Sequence, residues 1–133
     1  NEIQARALGT LSNVHMLGFR DPGALPAYLK ALDVALIPYV LDERTRAIDP
    51  LKVYEYLAAG KPVVATALPA LRRFDSVIRT ATDRTDFISQ VEIALEEEDG
   101  VLASQRIAAV RDHTWDHRVA SMMRLIDSAM CNR

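Results

Sequence analysis

The chain has 133 residues, half of them hydrophobic, and 16 basic against 18 acidic side chains give a formal net charge of -2. That is the length of one domain able to bury a sizeable core, and it excludes a disordered tail. The near balance of charge argues against a strongly basic nucleic-acid binder, so no nucleic acid is expected as a partner. The single cysteine, Cys131, rules out an internal disulfide and a cysteine-built zinc cluster.

No apolar run reaches the roughly 18 residues of a membrane span. Asn1-Glu2-Ile3-Gln4 does not open a secretion signal, and with no initiating Met the chain is expected to start inside a longer protein.

Residues 1–10 read as the end of a helix, with Ile3, Ala7 and Leu8 on one side and Gly9 as its stop. Asn13-Val14-His15-Met16-Leu17-Gly18 reads as a short strand running into a turn at Gly18-Phe19. Asp21-Pro22-Gly23 is a turn signal. A helix follows over Leu25 to Ala31, with Leu25, Tyr28, Leu29 and Leu32 toward a core and Pro26 tolerated in the first turn.

Asp33-Val34-Ala35-Leu36-Ile37-Pro38-Tyr39 is apolar enough for a strand buried on both faces. A polar loop follows, and Pro50 opens a helix through Ala59 that Gly60 closes. Lys61 to Thr66 is a second buried strand, Leu68 to Phe74 a short helical segment, and Val77 to Thr80 a weaker strand. Asp86 is expected to cap a helix from Phe87 to Glu98 with Phe87, Val91, Ala94 and Leu95 buried. The run Glu96-Glu97-Glu98-Asp99 reads as a solvated helix end. Leu102 to Val110 is another helix, and the last runs from about Trp115 to Met130 with Trp115, Val119, Met122, Ile126 and Ala129 as its buried stripe. Strands alternating with helices predict an α/β fold, an open parallel sheet with flanking helices. Ligands of such a sheet bind beyond the carboxyl ends of its strands, which singles out the loop from Tyr39 to Pro50.

The chemistry concentrates in Asp49-Pro50-Leu51-Lys52-Val53-Tyr54-Glu55 and the residues that follow. The first-turn amides around Leu51 to Val53 lack helical acceptors and suit an anion, with Lys52 adding charge. Glu55, as a carboxylate, can accept from a pair of sugar hydroxyls. The same residues also make an ordinary helix start, and Lys52 and Glu55 could simply pair on its surface. Arg72 and Arg73 could assist an anion or stay solvated, and His113 and His117 share a helical face without a third metal ligand.

This block resembles the carboxyl-terminal half of retaining glycosyltransferases of family 4, which have the GT-B fold. In one branch of that family the signature reads proline, variable, lysine, variable, tyrosine or phenylalanine, glutamate, tyrosine, leucine, alanine, then alanine-glycine-lysine-proline-valine-valine. Pro50, Lys52, Tyr54-Glu55-Tyr56-Leu57-Ala58 and Ala59-Gly60-Lys61-Pro62-Val63-Val64 match it. Asn13 to Phe19, Asp33 to Tyr39 and Thr114-Trp115-Asp116-His117-Arg118 continue the likeness along most of the chain.

The resemblance implies a Rossmann-like, partial carboxyl-terminal donor-binding domain over residues 1–133. It assigns the ribose hydroxyls to Glu55, the sugar diphosphate to Asp49, Pro50, Leu51 and Lys52, and the base to Phe19 and Arg20. It implies a nucleoside-diphosphate sugar as donor, a sugar, lipid-linked or polysaccharide acceptor, and no cofactor or metal. It further implies a missing amino-terminal domain of the same protein, and a cytoplasmic place that includes the cytoplasmic face of the membrane. The fragment alone is expected to be inactive. Many relatives carry a further glutamate where this chain has Ala47, which keeps a non-catalytic module as the alternative. A sheet of about six strands is more than this sequence places, so an exposed sheet edge or apolar face is expected.

Overall fold

A computed structural model describes residues 8–97 and 99–131. The expectation for residues 1–7 and for Glu98 lies outside them. Two apolar runs and the more polar Arg79-Thr80-Ala81 form the strands β1 (Ala35–Ile37), β2 (Val63–Thr66) and β3 (Arg79–Ala81). They make one parallel sheet in the order β1-β2-β3, with Ala35 opposite Val63 and Val64 opposite Arg79. Around it lie α1 (Leu25–Ala31), α2 (Lys52–Ala58), α3 (Arg84–Leu95), α4 (Asp99–Val110) and α5 (Trp115–Cys131). The fold is α/β and Rossmann-like, a parallel sheet with flanking helices.

Alternation along the strands separates two cores. Ala35, Ile37, Val63 and Ala65 face the layer of Val53 and Leu57 from α2, Leu71 and Phe74 from a 3-10 segment (Pro69–Phe74) with Leu68 just before it, and Val110 from α4. On the other face α3 covers β2 and β3, where Val64, Ala81 and Ala94 are buried. Leu36 of β1 points to that face and stays 43% exposed. Among the described residues β1 is an edge of the sheet.

Gly60 ends α2 with a φ of +71°, a left-handed conformation that only glycine adopts without strain. A Cβ there would also come within 3.3 Å of Ala103 Cβ, so the same residue lets α4 pack against the end of α2. Arg106 of α4 is buried. Its guanidinium donates to Gly60 O and Val77 O, each at 3.3 Å, and to Glu97, which also accepts from Arg79 Nε at 2.6 Å.

Several expectations are corrected. Asn13 to Gly18 forms no strand: the Val14 amide turns back to Leu11 O at 3.1 Å, no described strand pairs with the segment, and without a ladder nothing holds it in a sheet. Met16 and Phe19 are exposed, and at Gly18 the backbone takes a left-handed φ of +67° without a hydrogen bond closing a turn among the described residues. In α1 only Leu29 is buried, while Leu25, Tyr28 and Leu32 border open surface. Asp83 rather than Asp86 caps α3, accepting from the Asp86 amide at 2.9 Å, while Asp86 accepts from the Thr82 amide at 2.9 Å. Leu95 is exposed because α3 turns it away from the sheet. Glu97 is not solvated, since two arginines draw it inward. The stripe on α5 is not buried either. Trp115, Val119, Met122 and Ile126 are all exposed, because no described element packs along the helix.

Arg106→Ala should cost about 3–5 kcal/mol, because it leaves the Glu97 carboxylate to Arg79 alone and removes the side-chain donor from the carbonyls of Gly60 and Val77. Arg106→Lys should lose less but still destabilise, because an ammonium cannot span all three acceptors as the planar fork does. Urea unfolding of the two variants tests this order. Asp83→Ala should cost about 1 kcal/mol by the same measurement.

Candidate functional site

The helix α2 positions the site. Pro50 is buried and its carbonyl accepts the Val53 amide at 3.1 Å, while Leu51 O accepts the Tyr54 amide at 3.1 Å. The Val53 amide is thereby engaged, which corrects the expectation that it is open to an anion. The amides of Leu51 and Lys52 find no acceptor among the described residues. Val53 and Leu57 turn into the core, so Leu51, Lys52 and Glu55 fall on the exposed side.

Glu55 stands between two cavities. One is a groove of about 800 Å³ between α1 and α2, walled by Pro22, Leu25, Leu29, Ala58 and Ala59 with Lys30 as its other charged residue. The second, of about 200 Å³, is lined by Leu51, Tyr54, Glu55, His113, Trp115 and Arg118. The Glu55 carboxylate has no hydrogen-bond or ion-pair partner among the described residues, and neither does the Lys52 ammonium, so the two do not pair. The negative charge of Glu55, after burial, helps push the neighbouring Tyr56 phenol above its ordinary pKa.

Asp49 is engaged elsewhere. Its carboxylate binds Arg73 Nη2 at 2.5 Å and lies 3.4 Å from the Tyr54 hydroxyl, which Arg73 also reaches at 2.5 Å. The Arg73 guanidinium lies over the Tyr54 and Phe74 rings, 5.5 and 5.1 Å from their centroids. Arg118 of α5 also approaches Tyr54, 5.8 Å from the ring centroid. Tyr54 thus has two arginines within reach of its ring, and His113 tilts against it with centroids 5.3 Å apart. Of Arg72 and Arg73, only Arg73 joins this cluster.

Phe19 and Arg20 lie outside both cavities. Phe19 is 90% exposed, and Arg20 donates through Nε to the Tyr28 hydroxyl at 2.8 Å. They precede Pro22 and Leu25 on the groove wall, so chain continuity sets them near that groove. Asp42 serves its own loop, accepting from the Arg44 and Thr45 amides at 2.9 and 2.8 Å. Ala47 ends a 3-10 turn (Thr45–Ala47). No group of three or more His, Cys, Asp or Glu side chains is placed to hold a metal ion among the described residues. His117 instead lies 2.9 Å from Thr114 Oγ1 through Nδ1. No helix is long and apolar enough to cross a membrane among the described residues.

Sequence reasoning did not single out Tyr54 as the centre of a cluster, nor Arg118 as its neighbour. The Tyr-Glu dipeptide of α2 is the signal that could have found the first, because adjacent residues on a helix point to adjacent sides.

A parallel sheet with flanking helices defines a Rossmann-like domain. The comparisons narrow the class: the family described as glycosyl transferases group 1 matches residues 1–106, and the chain belongs to that family. A relative in Bacillus subtilis (strain 168), named "Putative teichuronic acid biosynthesis glycosyltransferase TuaH", is 41% identical over 69 residues. The match covers 52% of this chain and 17% of that relative, so the chain spans only a small part of the relative's length. No solved structure matches.

The Asp42 carboxyl is held below its ordinary value of 3.8, first by the Thr45 amide. A depressed carboxylate supports its loop above that ordinary value and releases it as pH falls through the lowered one. The Arg44 and Thr45 amides should therefore lose protection from hydrogen exchange only on acidification below the usual carboxylate range. Asp42→Ala should remove that protection at every pH.

Proposed function

We propose that this chain is the donor-binding part of a retaining glycosyltransferase, a family 4 enzyme of the GT-B fold. It would bind a nucleoside-diphosphate sugar for transfer to a hydroxyl acceptor. The carrying observation is the unpartnered Glu55 carboxylate on the wall of a largely apolar groove of about 800 Å³. That size falls within the range of ligand cavities. Pro22, Leu25 and Leu29 offer apolar walls to a base and sugar, and Glu55 offers acceptors to ribose hydroxyls.

Cleavage of the sugar–phosphate bond leaves charge on the diphosphate, and the chain's contribution is electrostatic. Leu51 and Lys52 supply uncommitted amides, and the Lys52 ammonium supplies charge. Pro50 gives shape and a carbonyl. Phe19 and Arg20 flank the base end of the groove. Asp49 acts through Arg73 and Tyr54, keeping the turn before α2 in place. Glu55 holds the nucleotide and is not a nucleophile.

The intact enzyme on this reading works in the cytoplasm or on the cytoplasmic face of the membrane. An amino-terminal domain closes the cleft and recognises the acceptor, and no metal takes part. The relative's name supports a cell-envelope polysaccharide as the acceptor class. A second reading, a non-catalytic nucleotide-sugar module, is favoured by Ala47 and by the engagement of Asp49 with Arg73. It predicts donor binding without turnover in the full-length protein.

Glu55→Ala should weaken nucleoside-diphosphate binding at least about tenfold, since hydrogen bonds to a charged group contribute about 1.5–3 kcal/mol. The unfolding midpoint should not move, because the side chain is exposed. Calorimetric titration of UDP, GDP and ADP against both proteins measures this, and equal affinities would refute the assignment of Glu55.

A further inference from the structure

The cleft on the other side of Glu55 carries a chemistry that donor binding does not use. The inner cavity of about 200 Å³ opens beside an outer one of about 770 Å³, and His113, Trp115 and Arg118 line both. The outer cavity adds His117 and Arg124, and Asp112 is its one carboxylate. Neither of its arginines meets a carboxylate among the described residues. Arg118 rests 6.0 Å from the Trp115 ring centroid and reaches the Tyr54 hydroxyl at 3.5 Å, while Arg124 donates to Ser121 Oγ at 2.9 Å. Trp115 itself is 75% exposed.

We propose that the outer cavity binds an acidic pyranose. Its carboxylate or phosphate would meet the guanidinium groups of Arg118 and Arg124, whose fork geometry suits such anions. The apolar C–H face of the ring would lie on the indole of Trp115, a large rigid surface that costs little entropy to order. A bare anion has no use for that indole, and a neutral sugar, whose hydroxyls can still accept from the arginines, leaves their two positive charges uncompensated. A long polyanion fits less well, because the chain as a whole carries a net charge of -2. Resting on the donor reading, this places an acidic residue of the acceptor across Glu55 from the nucleoside groove.

The single tryptophan makes the test specific, because all indole emission comes from Trp115. The full chain is titrated with methyl glucuronide, glucose 6-phosphate, glucose and inorganic phosphate, and fluorescence and ligand-observed NMR are recorded. The two acidic sugars should give saturable changes, with glucose and inorganic phosphate each at least about tenfold weaker. Arg124→Gln and Arg118→Gln should each weaken the acidic sugars about tenfold. Trp115→Ala should abolish their saturation-transfer signals. These exposed positions take nothing from the core, so the variants should keep the wild-type unfolding midpoint.

The proposal is overturned if glucose binds as well as the glucuronide, if inorganic phosphate binds as well as glucose 6-phosphate, or if no saturable change occurs. It is equally overturned if Arg124→Gln leaves the affinities unchanged. Nucleotide binding that depends on Glu55 but not on Arg124 would leave the donor reading standing while this inference fell. Acidic-sugar binding without nucleotide binding would do the reverse.

Discussion

The buried guanidinium of Arg106 ties together parts of the chain that have little other reason to stay in register. It donates to the carbonyl of Gly60 at the end of α2, to that of Val77 before β3, and to Glu97 after α3. A charge taken out of water must be compensated at every donor, and here the compensation comes from three separate segments. Gly60 adds a geometric condition, since its left-handed turn and missing side chain let α4 approach the end of α2. Together these contacts fix the direction in which α2 leaves the sheet. Glu55 lies about one turn before that end, so its position at the groove depends on a charge network anchored where the helix stops.

The sequence was most legible where a local pattern and its partner lie close together. The apolar runs that became β1 and β2 and the proline-to-glycine frame of α2 follow from residues within one element. The segment from Asn13 to Gly18 has a comparable apolar pattern, but a strand exists only through the strand beside it, and none is present among the described residues. The helix α5 makes the same point. Spacing of Trp115, Val119, Met122 and Ile126 establishes one apolar side, and it says nothing of whether a surface lies against that side. Glu97 failed in the opposite direction: a run of acids reads as solvated until two arginines, 18 and 9 residues away, draw one member inward.

The candidate site divides along the same line. Glu55 was readable because the helix frame and the family resemblance both fall on that position. The engagement of Asp49 was not, because Arg73 is 24 residues away and reaches it from a 3-10 segment. Arg118 is 64 residues from Tyr54, beyond any periodic pattern. What the fold adds to the motif is therefore a sorting of its charges. Asp49 becomes part of the scaffold, whereas Glu55 and Lys52 remain open to a ligand.

That sorting has an electrostatic consequence for the proposed chemistry. A diphosphate brought to the start of α2 would meet strong repulsion if Asp49 were unpaired, and Arg73 removes most of that cost by holding the carboxylate and the Tyr54 hydroxyl at once. The aromatic rings of Tyr54 and Phe74 beneath Arg73 keep its guanidinium oriented without adding a further negative group. Lys52 and Arg118 are then cations near this helix start that no carboxylate neutralises among the described residues. The helix start is left with a positive bias toward an incoming anion, and Glu55 is the one open carboxylate on α2, placed where a hydroxyl-bearing ring rather than a phosphate would have to lie.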